Sequence, residues 1–299
     1  IGINKHLNMS ADSLKESNSS RVYVLFYSFF LIPLVIAVIG TSFVIIVKFL
    51  TLEPKSASDL LNDVKIGSAN KRWQSAFELS KILTSENEIF EDNYFRNQLI
   101  TAYTRSVHDD ERVRMYLALA MGQTGDQFYG ETLRKGLSDD NPATRLAAIK
   151  ALGVLQYYSS VEDLRSIITD KNREVIEHLT AVVALGNIGG KSVIPDLIPL
   201  LDHEEVNIRW DTALSLAKLG DTSGLAIIAD LMDRSYYSSF PEVDYEEANQ
   251  AIRVAIHVSS VFRNDMFKEK LVTLAELDEN MEIRNTAIKT LKQIYGHQS

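Results

Sequence analysis

Residues 113–126 read VRMYLALAMGQTGD, and the same pattern returns down the chain. It comes back as Thr144-Arg145, Ala148 and Leu152-Gly153, then as Glu177-His178, Ala181, Leu185-Gly186 and Gly189-Gly190. Two more copies follow: Ile208-Arg209, Ala213, Leu216-Ala217 and Gly220-Asp221, then Ile283-Arg284, Ala287 and Leu291. From Arg114 to Arg145 is 31 positions, to His178 a further 33 and to Arg209 a further 31. A period of this size marks stacked helix pairs, each unit covering the apolar face of the next. Stacks of this kind commonly serve as binding surfaces, which points to a scaffold ahead of an enzyme.

Between the copies lie leucines and isoleucines at helical spacing. They are Leu133 and Leu137; Leu164, Ile167 and Ile168; Leu197, Leu200 and Leu201; and Ile227, Ile228 and Leu231. Steps of three and four, with no strand-like alternation, predict a second helix in each repeat. The small residues Ala118, Ala148, Ala181 and Ala213 let paired helices approach closely. Pro142 and Pro195 suit the opening turn of a helix, where a missing N–H costs nothing.

The phrase resembles HEAT repeats of the short type, the kind also found in phycobilisome-lyase-like proteins. A Val-Arg start, a mid-helix Ala and a Leu-Gly-x-Leu-Gly-Asp ending mark the first helix of that family. Residues 113–126 and 208–221 match closely, and 144–157 and 177–190 match well. Residues 70–84, with Arg72, Ala76 and Leu79, resemble a degenerate first repeat, 252–264 another, and 283–296 a last first helix without its partner. The period is shorter than the roughly 40–47 residues of long HEAT repeats, and the ankyrin and tetratricopeptide signatures are absent. The resemblance implies an all-α fold, an α-solenoid of about six HEAT-like helix pairs. It also implies a ladder, in which Arg114, Arg145, Arg209 and Arg284, with Arg72 and Arg253, pair with aspartates of neighbouring turns. Asp110, Asp140, Asp170, Asp202 and Asp278 lie a few residues upstream and are the expected partners. His178 interrupts the series, which predicts a weaker or pH-sensitive joint.

The 299 residues carry a net charge of −9, against a general nucleic-acid binder, which needs a basic face. With no cysteine, disulfides, thiolate metal sites and cysteine nucleophiles are excluded. Residues 22–47 contain no Asp, Glu, Lys or Arg and are bracketed by Arg21 and Lys48. As a helix, 26 residues rise roughly 39 Å, enough to cross a hydrocarbon core of roughly 30 Å with some tilt. A cleaved signal peptide has a shorter apolar region, of roughly 7–15 residues. Tyr23, Phe26, Tyr27, Phe43 and Phe49 suit an interfacial aromatic belt, Pro33 predicts a bend, and Ala37, Gly40 and Thr41 offer a small-residue face. Three cations precede the span (Lys5, Lys15, Arg21) and three follow it (Lys48, Lys55, Lys65), so charge bias leaves the orientation open. A start at Met9 removes Lys5 and tips the balance slightly toward a cytoplasmic C-terminal side. The expected organisation is a disordered polar tail over 1–20, a transmembrane helix over 21–50, a linker over 51–69 and the repeat domain over 70–299.

Two places depart from the repeat. The step from Arg209 to Arg253 is 44, about a dozen longer than its neighbours, and the extra residues 234–247 carry Tyr236, Tyr237, Phe240 and Tyr245 among acids. Insertions in solenoids map to loops on one face, and exposed aromatics anchor interfaces, so these four are candidate partner-binding residues; packing back over the array is the alternative. Phe128, Tyr129, Tyr157 and Tyr158 follow the first helices of consecutive repeats and are a second candidate stripe. Only His203-Glu204 has the His-Glu order of iron-holding HEAT-like enzymes, and no nucleophile elbow, phosphate loop or His-Glu-x-x-His occurs. No catalytic, cofactor or metal residue is therefore expected. The expectation is a single-pass membrane scaffold or accessory subunit, bound to protein partners of a membrane complex and to the bilayer through 22–47, with a HEAT-type lyase or metal-dependent modifier as the alternative.

Overall fold

The computed structural model describes residues 27–51, 55–83 and 92–296. The tail over 1–20 and the residues Arg21, Tyr23 and Phe26 lie outside them. The chain divides into two compact units between Lys55 and Ser56.

The first unit is one helix. A π-helical turn, Tyr27–Leu31, runs into α1, Ile32–Thr51. Pro33 stands just past this junction, where its absent N–H meets an already shifted hydrogen-bond register. The Thr41 hydroxyl donates to the Ala37 carbonyl at 2.8 Å, which satisfies its polar group inside an apolar run. Phe29–Val47 is long and apolar enough to cross a membrane, and its side chains are exposed.

The second unit is all-α among its described residues. Seven first helices follow one another: α3 (Ala69–Ile82), α5 (Glu111–Gln123), α7 (Pro142–Leu155), α9 (Val175–Ile188), α11 (Val206–Lys218), α13 (Tyr245–Ser259) and α15 (Met281–Tyr295). Between them come the second helices: α4 (Asn93–Arg105), α6 (Gly130–Gly136), α8 (Val161–Thr169), α10 (Ile194–Leu197, continued by a 3₁₀ turn at Ile198–Asp202), α12 (Leu225–Leu231) and α14 (Asp265–Leu277). First helices pack on first helices to form one layer. Second helices form the other, each against the first helix that follows it. The result is an α-solenoid of six helix pairs, with α15 as a final first helix alone.

The stretch expected as a linker, 51–69, contains a helix packed into the array. Ser56 opens α2, Ala57–Ile66, in a capping box with Asp59. Ala57, Leu60, Leu61 and Val64, at steps of three and four, bury one face against α3 and α4. The array therefore begins at Ser56, with α2 in the place of a second helix.

The phrase reads directly as structure. Its closing glycines Gly125 and Gly220 take φ of +69° and +80°, the left-handed step that ends a helix. The aspartates after them cap the next turn: Asp126 accepts from the Phe128 N–H at 3.0 Å, and Asp221 from the Ser223 N–H at 2.8 Å. The Leu-Gly pair serves another end. A Cβ on Gly122 would stand 2.6 Å from the Ala151 Cα, one on Gly153 2.8 Å from the Ala184 Cα, and one on Gly186 2.6 Å from the Ser215 Cβ. Glycine is needed there because consecutive first helices touch backbone to backbone.

Candidate functional site

Two sets of ion pairs tie the repeats together. In the first layer Arg72 holds Asp109 (Nη1 to Oδ1 2.6 Å), the Arg114 Nε lies 2.6 Å from Asp139, and the Arg145 Nε donates to Glu177 at 2.5 Å. Each guanidinium also reaches a backbone carbonyl: Val64 for Arg72, Tyr103 for Arg114, Asp139 and Asp140 for Arg145. The expected upstream aspartates are not the carboxylate partners. The side chain points back along its helix, as helical side chains do, so it meets the carbonyls of the turn before it, while the carboxylates come from the following repeat. Asp110 is taken by Arg112, and Asp278 by Arg234. At the interruption, the His178 Nε2 donates to the Asp170 carbonyl at 2.9 Å, and the adjacent Glu177 supplies the carboxylate for Arg145. Arg253 pairs with Glu246 at 2.9 Å, and Arg284 donates to the Asp278 carbonyl.

The second layer has its own ladder. Arg96 pairs with Asp126 at 2.5 Å, Arg134 with Asp163 at 2.5 Å and Arg165 with Asp196 at 2.8 Å. The separations are 30, 29 and 31 residues, so the signal was present in the sequence as a basic residue in one second helix and an acid one repeat later.

The candidate aromatics divide by burial. Tyr237 is buried, and its hydroxyl donates to the Leu231 carbonyl at 2.8 Å. Its ring, with Tyr236 and Phe240, surrounds Trp210 of α11 at centroid distances of 5.4–6.1 Å, and the Trp210 Nε1 donates to the Tyr236 hydroxyl at 3.2 Å. Tyr129 is fully buried, and Tyr157 lies over the Gly130 backbone. Tyr237 and Tyr129 are thus core residues with no surface to offer a partner: apolar burial outweighs exposure of rings this large. Tyr245, Phe128 and Tyr158 are exposed, with Arg234 over the Tyr245 ring and Arg96 over that of Phe128.

The insertion has its main effect on the helices around it. Arg234 forks onto the buried Asp278 carboxylate at 2.8 and 2.9 Å, and Lys270 pairs with Asp233 at 2.7 Å, which pins the 3₁₀ segment Arg234–Ser239 to the last repeats. Its aromatic cluster shares a core with Ala248 and Ile252 of α13. The first helices then part at the step from α11 to α13, the slightest contact between consecutive first helices. Ala217 stands where the earlier copies have glycine. Among the described residues, Arg209 reaches only the carbonyls of His203 and Glu204, at 2.7 and 3.0 Å. The apolar core also divides here: one cluster runs from Ala57 to Leu197 with Leu216, the other from Trp210 to Leu291.

A groove of about 340 Å³ opens where the helices part. Leu214 and Ala217 of α11 form one side, Val254 and Val258 of α13 the other, with Val261 and Phe262 at the end. Asp211 and Lys218 enter from α11 and His257 from α13. Burial pushes the Asp211 carboxyl up to about 6, against the opposing pull of Lys218. Chemically the groove offers apolar contact and one desolvated acid, which suits recognition. Among the described residues no three His, Asp or Glu converge as metal ligands.

A repeat profile and one solved structure agree with this architecture. The profile of HEAT repeats matches residues 97–180 and 161–239. Among curated protein sequences none matches the chain. Among solved structures, the fold is similar to the complex of CpcE and CpcF of phycocyanin lyase from Nostoc sp. PCC7120, at 16% identity and a TM-score of 0.57, over 81% of this chain and 89% of that one. Human deoxyhypusine hydroxylase aligns at 16% identity over 82% of this chain and 86% of its own, with a TM-score of 0.34. A designed armadillo repeat protein in complex with a (KR)4 peptide aligns at 16% identity over 80% and 100%, with a TM-score of 0.38. With its helix pairs, its period and the matching repeat profile, the chain is a HEAT-like repeat protein.

Proposed function

We propose that this protein is a membrane-anchored scaffold or accessory subunit, whose array holds a partner protein in the groove between α11 and α13. The repeat fold supports a protein-interaction role, and the groove carries the reading. Its walls are mostly apolar, and Val254 and Val261 both stand exposed in it, an apolar patch of the kind that marks interaction sites. The helix Phe29–Val47 supports a single-pass anchor, and a membrane complex is the setting in which an anchored array meets its partner. In this reading the array lies on the cytoplasmic side, which a sidedness test decides.

A photo-reactive amino acid at Val261, in the full chain in native membranes, tests the reading. A discrete adduct that is absent when the same group replaces the exposed Tyr158 is the expected result. No adduct, or the same smear from both positions, would sink it. Because the chain lacks cysteine, Tyr158→Cys gives a single thiol for the sidedness test. A membrane-impermeant maleimide should reach it only after permeabilisation. The competing reading, a HEAT-type enzyme, would be favoured by iron or a chromophore that co-purifies with the protein.

A further inference from the structure

The groove does not end at α11. Val183 and Asp211 also line a second hollow, formed by Lys150 and Val154 of α7 and by Ile176, Leu179 and Thr180 of α9. The two hollows make one furrow across the outer face of four first helices, α7 to α13. Ile176 is 51% exposed and Val154, Val254 and Val261 are exposed beside it, so the apolar stripe is open along its length. Asp211 stands where the hollows join. It makes no hydrogen bond or ion pair among the described residues; Lys218 draws on its charge but gives its own hydrogen bond to Asn187 at 2.8 Å. A half-buried carboxylate with no hydrogen-bond partner weakens the fold, and such groups are kept where they meet a ligand.

The chemistry narrows the occupant. The furrow is walled by helix faces, whose backbone N–H and C=O groups are already used within each helix, so an extended peptide would find only side chains and water for its own backbone there. A helix satisfies its own backbone and presents only side chains. Packed helices lie about 8–10 Å apart, so four in a row span roughly 30 Å, the length of a helix of about 20 residues. Lys150, Lys218 and His257 line the furrow beside Asp211, but residues 56–299 carry 26 Lys and Arg against 37 Asp and Glu, a net acidic field that draws a basic partner to the array. We propose that the furrow receives an amphipathic helix of a partner protein, its apolar stripe on Ile176, Val183 and Val261 and a Lys or Arg against Asp211. The proposal rests on the scaffold reading and adds the chemistry of the partner.

The test is selection of a displayed library of 20-residue helical peptides on the full chain in lipid nanodiscs. Enriched peptides should share an apolar stripe at i, i+3, i+4 and i+7, with one basic residue at a fixed register. The best of them, synthesised with a fluorescent label, should lose at least tenfold in affinity on Asp211→Asn. Replacement of its basic residue by Gln should cost as much on the wild type and nothing further on Asp211→Asn. Val261→Glu, at an exposed position, should abolish binding with the fold intact. Enriched peptides without a fixed basic residue would overturn the pairing with Asp211, and binding indifferent to Val261→Glu would overturn the furrow. A cross-link from Val261 to a second copy of this chain would replace the partner by the protein itself. A cross-linked partner without a basic amphipathic helix would leave the scaffold standing and end this inference alone.

Discussion

The steps from α5 to α11 and the step from α11 to α13 are built on one repeat and packed in opposite ways. In the regular steps a glycine meets the next helix, and an arginine reaches a carboxylate at two of the three. At the parted step Ala217 replaces the glycine, Arg209 makes no ion pair among the described residues, and the core divides. A solenoid is a chain of nearest-neighbour interfaces, so one altered interface opens a groove while the rest of the array keeps its packing.

The largest effect should come from what holds the parted step together. Trp210→Ala removes the centre of the aromatic cluster and should cost about 3–5 kcal/mol in chemical denaturation. Arg234→Ala leaves the buried Asp278 carboxylate without its cation and should cost about 3 kcal/mol, with most of the loss restored when Asp278→Asn is added. Next comes a direct contrast: Gly153→Val drives a side chain into the Ala184 backbone and should cost about 3 kcal/mol, whereas Ala217→Val points into the groove and should cost under about 1 kcal/mol. Equal costs would show that the two steps are packed alike.

Asp211→Asn should have a smaller effect of opposite sign. The folded carboxyl titrates near 6, above its ordinary value of 3.8, so the fold favours the protonated form. Stability from this group is full below about pH 4 and is lost as pH rises through 6. Asparagine, neutral throughout, should raise stability by about 1–2 kcal/mol at pH 7.5 and change little near pH 4. Lys218 and His257 line the same groove, so melts of Asp211→Asn against the wild type across pH isolate the one residue. The smallest effect is expected at the surface, where Tyr245→Ala should shift stability by under about 0.5 kcal/mol.

Local patterns made much of this legible in the sequence. Helix pairing, the first repeat near Arg72 and the lone last helix all follow from spacing within one or two turns. Ala57, Leu60, Leu61 and Val64 carry the same spacing and predict a short helix, but not that it packs into the array. Partner choice for the arginines was not legible, because which carboxylate a guanidinium meets depends on how repeats stack, and stacking is a long-range property. The choice between contact and packing for the aromatics of 234–247 was not legible for a related reason: their receptor, Trp210, lies in another helix 26 residues from Tyr236. The groove had a visible mark in the long step from Arg209 to Arg253, but its apolar lining comes from helices on both sides of that step.

The divided core has a thermodynamic consequence. Two clusters that meet at α11 and at Leu201 in the turn before it can unfold as separate cooperative blocks, the second melting while the first remains folded. Hydrogen exchange on the full chain should then show α13 to α15 opening with a lower free energy than α5 to α9. A helix laid across α9, α11 and α13 would bridge the blocks, and by mass action it would merge the two openings into one. For an array with a seam in its core, a bound partner would therefore set the size of the unit that unfolds.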